Sequence, residues 1–234
     1  MTVLSSYNPN RLWRIASIVG LFVAMSAGVQ ANVISRFDSG AEGWSVVSFT
    51  NLQGADYSVL SIVAPTFHAA GGNPGGFISV ADPDNGDFTF AAPAAFQGLH
   101  SGATSLTWDL DHTGAIGYQT SDIIITGGGL RLLWKSNPNI IPGAAFQTFS
   151  VTLAPAAGWT LGTPGGPAAT AADFQTVLGN ITGLFIRGEY TVGLNETSGL
   201  DNVTLVEAVG VPEPASLGLL GLGLMGIRWL RRRK

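Results

Sequence analysis

The sequence predicts an all-β domain, an antiparallel β-sandwich or barrel with one short helix, flanked by an N-terminal signal helix and a C-terminal transmembrane helix. Three observations carry this expectation. Alternating or β-rich apolar runs recur between clusters of Gly, Pro, Asn and Asp, while helix-period patterns are scarce. The chain begins with a charged, then apolar, then small-residue segment and ends in an apolar run closed by basic residues. It has no cysteine, so neither a disulfide nor a thiolate metal site can support the domain.

Arg11 and Arg14 precede an apolar run from Ile15 to Met25, and Val29 and Ala31 supply small residues for a cut after Ala31. Residues 1–31 therefore read as a secretory signal peptide. Residues 32–207 read as one domain, long enough to bury a proper core. Strands are expected at Val33–Phe37, Trp44–Phe49, Tyr57–Val63, Phe77–Val80, Phe88–Phe90, Ser105–Leu110, Asp122–Thr126 and Leu130–Lys135, and again at Phe146–Leu153, Leu184–Tyr190 and Asn202–Val206. The helix is expected after Thr170, which can N-cap it with Asp173 three residues on. Phe174, Val177, Leu178 and Ile181 would form its apolar stripe.

Residues 208–234 are a separate tail. Pro212 and Pro214 hold the backbone extended around Glu213, because each proline fixes its own φ and biases the residue before it away from helix. Ala215 to Ile227 carries no charge, and Arg228, Arg231, Arg232, Arg233 and Lys234 close the chain as a basic stop that prefers the cytoplasmic side of a membrane. Stretched from Ala215 to Leu230, the span is roughly 24 Å at about 1.5 Å per residue, against a hydrocarbon core of about 30 Å. Such a segment suits a transient anchor better than a permanent one. Gly221 to Gly226 also spells G-x-G-x-x-G, but the chain ends eight residues later, with no room for the helix and acidic residue a dinucleotide site needs.

This order of handle (Pro212, Glu213, Pro214), apolar helix and arginine-rich end resembles the PEP-CTERM sorting signal of Gram-negative bacteria. The resemblance implies recognition by an exosortase, a membrane enzyme that cuts near the handle. It also implies an inner-membrane precursor that ends at the cell surface or outside the cell, often beside exopolysaccharide. Inside the domain, Phe37-Asp-Ser-Gly-Ala-Glu-Gly-Trp44, Gly72-Asn-Pro-Gly-Gly-Phe-Ile78, Ala172-Asp-Phe174, Ile186-Arg-Gly-Glu-Tyr190 and Leu200-Asp-Asn-Val-Thr-Leu205 resemble the laminin B (laminin IV type A) domain. That resemblance implies a jelly-roll-like β-sandwich of the kind seen in carbohydrate-binding modules. The cysteines of animal laminin B domains are missing here.

Charge narrows the partners. Two of the 11 basic residues lie in the leader and five in the tail, so Arg36, Arg131, Lys135 and Arg187 face 14 acidic residues in the domain. A body near −10 argues against nucleic acid, whose affinity comes largely from Lys and Arg on phosphates. It is compatible with divalent cations and neutral glycans.

The resemblance to jelly-roll modules implies a structural calcium where the first and last strands meet, with Asp38, Asp201 and the nearby Glu42 as its acids. Strand parity puts Asp201 on the face of Val203 and Leu205, toward the core, where a carboxylate wants a cation or hydrogen bonds. The other reading is an Asp accepting backbone N–H groups in a turn. Asp82-Pro-Asp-Asn-Gly-Asp87 looks like a calcium loop but lacks the distal Glu, and a solvated turn explains it better. Asp109 and Asp111 share one strand face about 7 Å apart, within the range for glycoside hydrolysis, yet simple alternation accounts for them. His68, His100 and His112 share no ligand spacing and read as surface loop residues, and Arg187 with Glu189 reads as an exposed strand pair. Trp44 and Trp108 read as core, whereas Trp134 and Trp159, beside Pro/Gly loops, are the expected glycan-binding aromatics.

The function expected is that of an exported, non-enzymatic cell-surface or extracellular-matrix protein associated with glycan or exopolysaccharide. Its partners would be an exosortase-type enzyme and, transiently, the membrane. The alternative is a secreted polysaccharide-active enzyme.

Overall fold

A computed structural model of the chain describes residues 31–52, 54 and 57–208. Among these, strands form at β1 (Val33–Ser35), β2 (Ser45–Thr50), β3 (Ser58–Val63), β4 (Thr66–Gly72), β5 (Gly75–Ala81), β6 (Asp87–Ala91) and β7 (Ala103–Thr113). Then follow β8 (Ile123–Gly127), β9 (Leu130–Trp134), β10 (Gln147–Thr152), β11 (Thr160–Leu161), the helix α1 (Ala171–Leu178), β12 (Ile181–Arg187) and β13 (Thr197–Glu207). One sheet runs β10-β7-β13-β5-β4, with β1 also on β13; the other runs β11-β9-β8-β12-β6-β2-β3. All pairings are antiparallel.

The two sheets close on one apolar core. Leu106, Trp108 and Leu110 of β7, Ile78 of β5, and Leu200, Val203 and Leu205 of β13 face Phe88, Phe90, Ile123, Ile125, Leu184 and Ile186 of the opposite sheet. A smaller group (Val47, Phe49, Leu52, Ile124 and Leu133) covers the far side of that second sheet. The helix forms as its local sequence directs. Thr170 Oγ1 accepts the Asp173 N–H, and the Asp173 carboxylate accepts the Thr170 N–H at 2.8 Å, so each end of the capping box satisfies an orphan donor. Phe174, Val177 and Leu178 are its buried stripe, and Ile181 lies beyond it, opening β12 after Gly179-Asn180 ends the helix.

β13 is the hinge of the first sheet. Thr197 to Leu200 pair with β5 along one edge, whereas Val203 to Leu205 pair along that same edge with β1. The changeover falls at Asp201-Asn202, where the register with β7 slips and Asn202 adopts a left-handed φ of 47°. The bulge also resets strand parity. Leu200, Val203 and Leu205 all lie in the core, so Asp201 is thrown to the outer face beside its partner Asp109, contrary to the parity expectation.

Some expectations fall outside the described residues and others need correction. All but the last residue of the signal peptide (1–31), the sorting residues Pro212, Glu213 and Pro214, and the basic stop Arg228, Arg231, Arg232, Arg233 and Lys234 lie outside the described residues. Among the described residues no helix is long and apolar enough to cross a membrane. The fold expectation is therefore corrected to an antiparallel β-sandwich with one short helix, with no transmembrane helix among the described residues. Two strands, β4 and β11, form where none was expected, and Thr197–Asp201 extends the last strand backward.

Of the two expected surface aromatics, Trp159 is buried and Trp134 half-buried. Trp159 is 1 % exposed, and a file of rings runs from Trp108 through Trp134 (6.3 Å) and Trp159 (6.4 Å) to Phe174 (5.7 Å). Trp159 Nε1 donates to Thr152 O and Trp134 Nε1 to Ala157 O, each at 2.9 Å, so the polar ends of these rings are satisfied inside the protein. Trp159 therefore packs in the core against the helix, whereas Trp134 stays partly exposed at its edge. Trp159→Ala should cost about 3–5 kcal/mol in chemical denaturation, as large-to-small core changes do. A loss below ~1 kcal/mol would return Trp159 to the surface.

Candidate functional site

Of the residues expected to hold calcium, Asp38 lies beside the β4–β5 turn, near enough to Asp201 to raise its carboxyl, while Glu42 closes its own turn. Asp38 and Glu42 are exposed, and Glu42 Oε1 accepts the Phe37 N–H at 2.8 Å, within its own turn. Asp201 is buried under the β4–β5 turn, and both its oxygens are engaged: Oδ2 accepts the Asn73 N–H at 2.6 Å and Oδ1 the Asn202 N–H at 2.7 Å. The same two asparagines turn their side-chain amides on the neighbouring Asp109, whose Oδ2 accepts Nδ2 of Asn73 at 3.2 Å and of Asn202 at 2.8 Å. Asn202 Nδ2 also donates to Asn73 O. Gly72 lets the turn come this close, because a Cβ there would sit 2.5 Å from Asp201 Oδ2. Backbone N–H groups thus occupy both Asp201 oxygens, as the turn reading has it, while burial holds the carboxyl above its ordinary range.

A second acidic group was not expected. Asp82 after β5, Glu189 after β12 and Glu196 before β13 present carboxylate oxygens within 4.8 Å of one another. Glu196 orders the 188–196 crossover between the sheets, accepting the Tyr190 N–H at 2.8 Å and the Thr191 N–H at 3.2 Å. Glu189, expected exposed, is 6 % exposed, and its Oε2 has no hydrogen-bond partner. Burial first, and then the Glu196 carboxylate, push its proton affinity well above the usual carboxylate range, and burial raises Glu196 and Asp82 too. The nearby guanidinium is committed elsewhere. Arg187, also expected exposed, is buried with Nη2 2.6 Å from Asp122 Oδ1 and its Cζ 3.8 Å above the Tyr190 ring. The trio could therefore hold a divalent cation.

Histidines also differ from expectation. His100 is buried against Glu207 (2.8 Å) and His112 between Ser198 (3.0 Å) and Thr191 (3.2 Å). His68 is half-buried and stacks on Phe77 at 4.4 Å, with Nε2 2.8 Å from Ser79 Oγ. This pair belongs to the outer face of the first sheet. Phe77 meets Phe146 edge-on at 5.2 Å above Gly199, and Asp111 stands beside them, accepting the Gly199 N–H. Gly199 is required there, since a Cβ would collide with Asp111 Oδ1. Asp111 is in register with Gly199, and Gly199 with Ser79, so the floor is small and polar with aromatic walls. Burial raises the Asp111 carboxyl above its ordinary range. Of the acidic loop Asp82–Asp87, Asp84 binds Ser48 and Ser61 hydroxyls at 2.5 Å each and Asp87 accepts the Leu52 N–H, so that loop is a turn, as expected, apart from Asp82.

Residues 89–218 match the family model for laminin B (domain IV). The chain belongs to the laminin B family. Residues 210–234 match the PEP-CTERM protein-sorting motif, so a laminin-B-type sandwich is fused to a sorting tail. That motif implies processing by an exosortase-type enzyme and supports export to the cell surface. The chain is 31 % identical over 186 residues to laminin subunit gamma-1 of Danio rerio, covering 75 % of this chain and 10 % of that protein. It is 28 % identical over 193 residues to the Xenopus tropicalis subunit, covering 80 % and 11 %. It thus spans about a tenth of the length of these relatives. The L4b domain of human laminin alpha-2 shares the fold, with a TM-score of 0.54 at 14 % identity, covering 77 % of this chain and 99 % of that one.

The calcium expectation is cut back to the coarser statement that an acidic trio could hold a divalent cation, and these matches do not bear out the Gram-negative source. Sequence reasoning missed Glu196, which lies in an irregular loop, and the pair Asn73 and Asn202, although both stood in the family motifs. One consequence concerns pH. Because the folded protein holds the Glu189 and Glu196 protons more tightly than the unfolded chain does (ordinary value 4.5), it binds more protons than the unfolded state above that pH, and stability falls as pH rises. In chelator, the melting temperature lost between about pH 5 and 8 should be smaller for Glu189→Gln than for wild type. Parallel pH profiles for the two proteins would contradict the assignment.

Proposed function

We propose that this protein is an exported, non-enzymatic surface or matrix module that meets neutral glycan through the outer face of its β10-β7-β13-β5-β4 sheet. The observation that carries the reading is the group Phe77, Phe146, His68 and Asp111 around the Gly199 floor. Aromatic faces stack on the C–H faces of sugar rings, while a carboxylate and a hydroxyl such as Ser79 can hydrogen-bond sugar hydroxyls. Laminin B membership and the sorting tail support a place outside the cell, reached through an inner-membrane precursor and exosortase processing.

The same face supports the non-enzymatic reading. Asp109 and Asp111 are the carboxylates whose spacing would suit glycoside hydrolysis, but Asp109 is 4 % exposed and held by two asparagine amides. A group so enclosed cannot activate water on a polymer lying outside the sheet. The domain's surplus of acid argues in the same direction about ligands. An anionic polysaccharide would be repelled, so the partner is neutral and its binding weakly dependent on salt.

The test uses the purified full chain in mild detergent on an array of neutral and acidic glycans and on the exopolysaccharide of the source cells. Neutral glycans should bind, with retention changing little as salt rises, and Phe77→Ala or Phe146→Ala should weaken binding about tenfold, the ~1–1.5 kcal/mol that an aromatic contact is worth. Binding confined to acidic glycans, or unaffected by both substitutions, would reject this face. Release of reducing ends from any bound polysaccharide would reject the non-enzymatic reading.

A further inference from the structure

We infer that Asp82, Glu189 and Glu196 form a binding site for a hard, oxygen-preferring divalent cation that pins the two sheets together at one end of the sandwich. The three residues come from three places: the end of β5, the end of β12, and the loop that crosses from one sheet to the other before β13. Their carboxylate oxygens converge within 4.8 Å, a spacing that one ion can span at ordinary metal–oxygen distances.

Two further observations point to a ligand. Glu189 is more than nine-tenths buried, yet no N–H or hydroxyl donor reaches its Oε2, and the polar group its carboxyl meets is another acid, Glu196, while buried carboxylate oxygens are normally satisfied by donors. The basic groups that could neutralise the trio are directed elsewhere. Arg187 pairs through Nη2 with Asp122 and lies over the Tyr190 ring, and His112, 3.4 Å from Glu196 Oε2, is held toward its neutral form by burial and by Arg187. Three carboxylates with one buried, open oxygen make an all-oxygen donor set, the chemistry that selects hard cations over zinc or copper. Glu196 would then have two roles, since its oxygens also accept the Tyr190 and Thr191 N–H groups and so tie the ion to the loop backbone. Asp82 is the least buried of the three and offers the route by which an ion and its remaining waters would enter.

The inference is tested on the full chain in mild detergent at neutral pH, stripped with chelator and then given Mg2+, Ca2+ or Mn2+ singly. At least one ion should raise the melting temperature in a saturable way, because a ligand that binds only the folded state stabilises it by mass action. The same ion should slow amide exchange across Tyr190–Glu196. Glu189→Gln and Asp82→Asn should each weaken the apparent affinity ~10-fold or more. In chelator at neutral pH the same variants should melt at or above wild type, because Glu189→Gln removes the cost of holding a proton on that buried carboxyl and Asp82→Asn removes an acid beside it. Asp201→Asn, at the other acidic site, should keep the wild-type ion response. Flat titrations with all three ions would overturn the inference. So would wild-type affinity in both Glu189→Gln and Asp82→Asn, or loss of the response in Asp201→Asn alone.

Discussion

Two buried aspartates side by side on adjacent strands should repel, and the sandwich is organised around the way they are reconciled. Asp109 and Asp201 are directly paired across β7 and β13. Asn73 and Asn202 each give a backbone N–H to Asp201 and a side-chain amide to Asp109, so four donors meet two carboxylates. Charge-assisted hydrogen bonds of this kind are worth more than neutral ones, and losing one would leave a buried anion exposed to its neighbour. The clamp fixes the β4–β5 turn on the sheet and holds Asn202 in the left-handed conformation that bends β13. That bend lets β5 and β1 share one edge of the last strand, and it returns Val203 and Leu205 to the core. Phe77, three residues past Pro74, is positioned by the same turn.

The scarcity of basic residues acquires a structural meaning. Of the domain's four, Arg131 and Arg187 are buried and serve as internal ties. Arg131 donates to the Leu52, Gly54 and Gly162 carbonyls and lies 4.0 Å from the Tyr57 ring centre, fastening the loop that covers the second sheet. Arg187 joins β12 to Asp122. With Arg36 and Lys135 alone left outside, the surface of the domain is acidic, which fits a partner that is uncharged or a cation. The same imbalance explains why a buried acidic trio at the sheet crossover stands without a guanidinium of its own.

What could be read from the sequence was what depends on neighbours in the chain. The capping box of Thr170 and Asp173 and the alternation of Leu106, Trp108 and Leu110 are local, and both appear as expected. Features set by distant contacts were not legible. Asp201 lies opposite to its expected face because a single extra residue in the bulge flips parity. Trp159 looked solvent-facing beside Gly158 and Thr160, but the helix closes over it. Arg187 and Glu189 alternate as an exposed pair would, yet the crossover loop folds back and buries them. β4, with Ala-Ala-Gly-Gly in its second half, carries no apolar period at all and is a strand only because β5 pairs with it.

The clamp on Asp109 and Asp201 is the account's central claim, and amide hydrogen exchange tests it most directly. If Asn73 and Asn202 donate into a buried carboxylate, their amides should exchange only through global unfolding, with the same opening free energy as Leu110 and Leu200 in the adjoining strands. Exchange at Asn73 and Asn202 as fast as at an exposed turn amide, with the strand amides still protected, would contradict it.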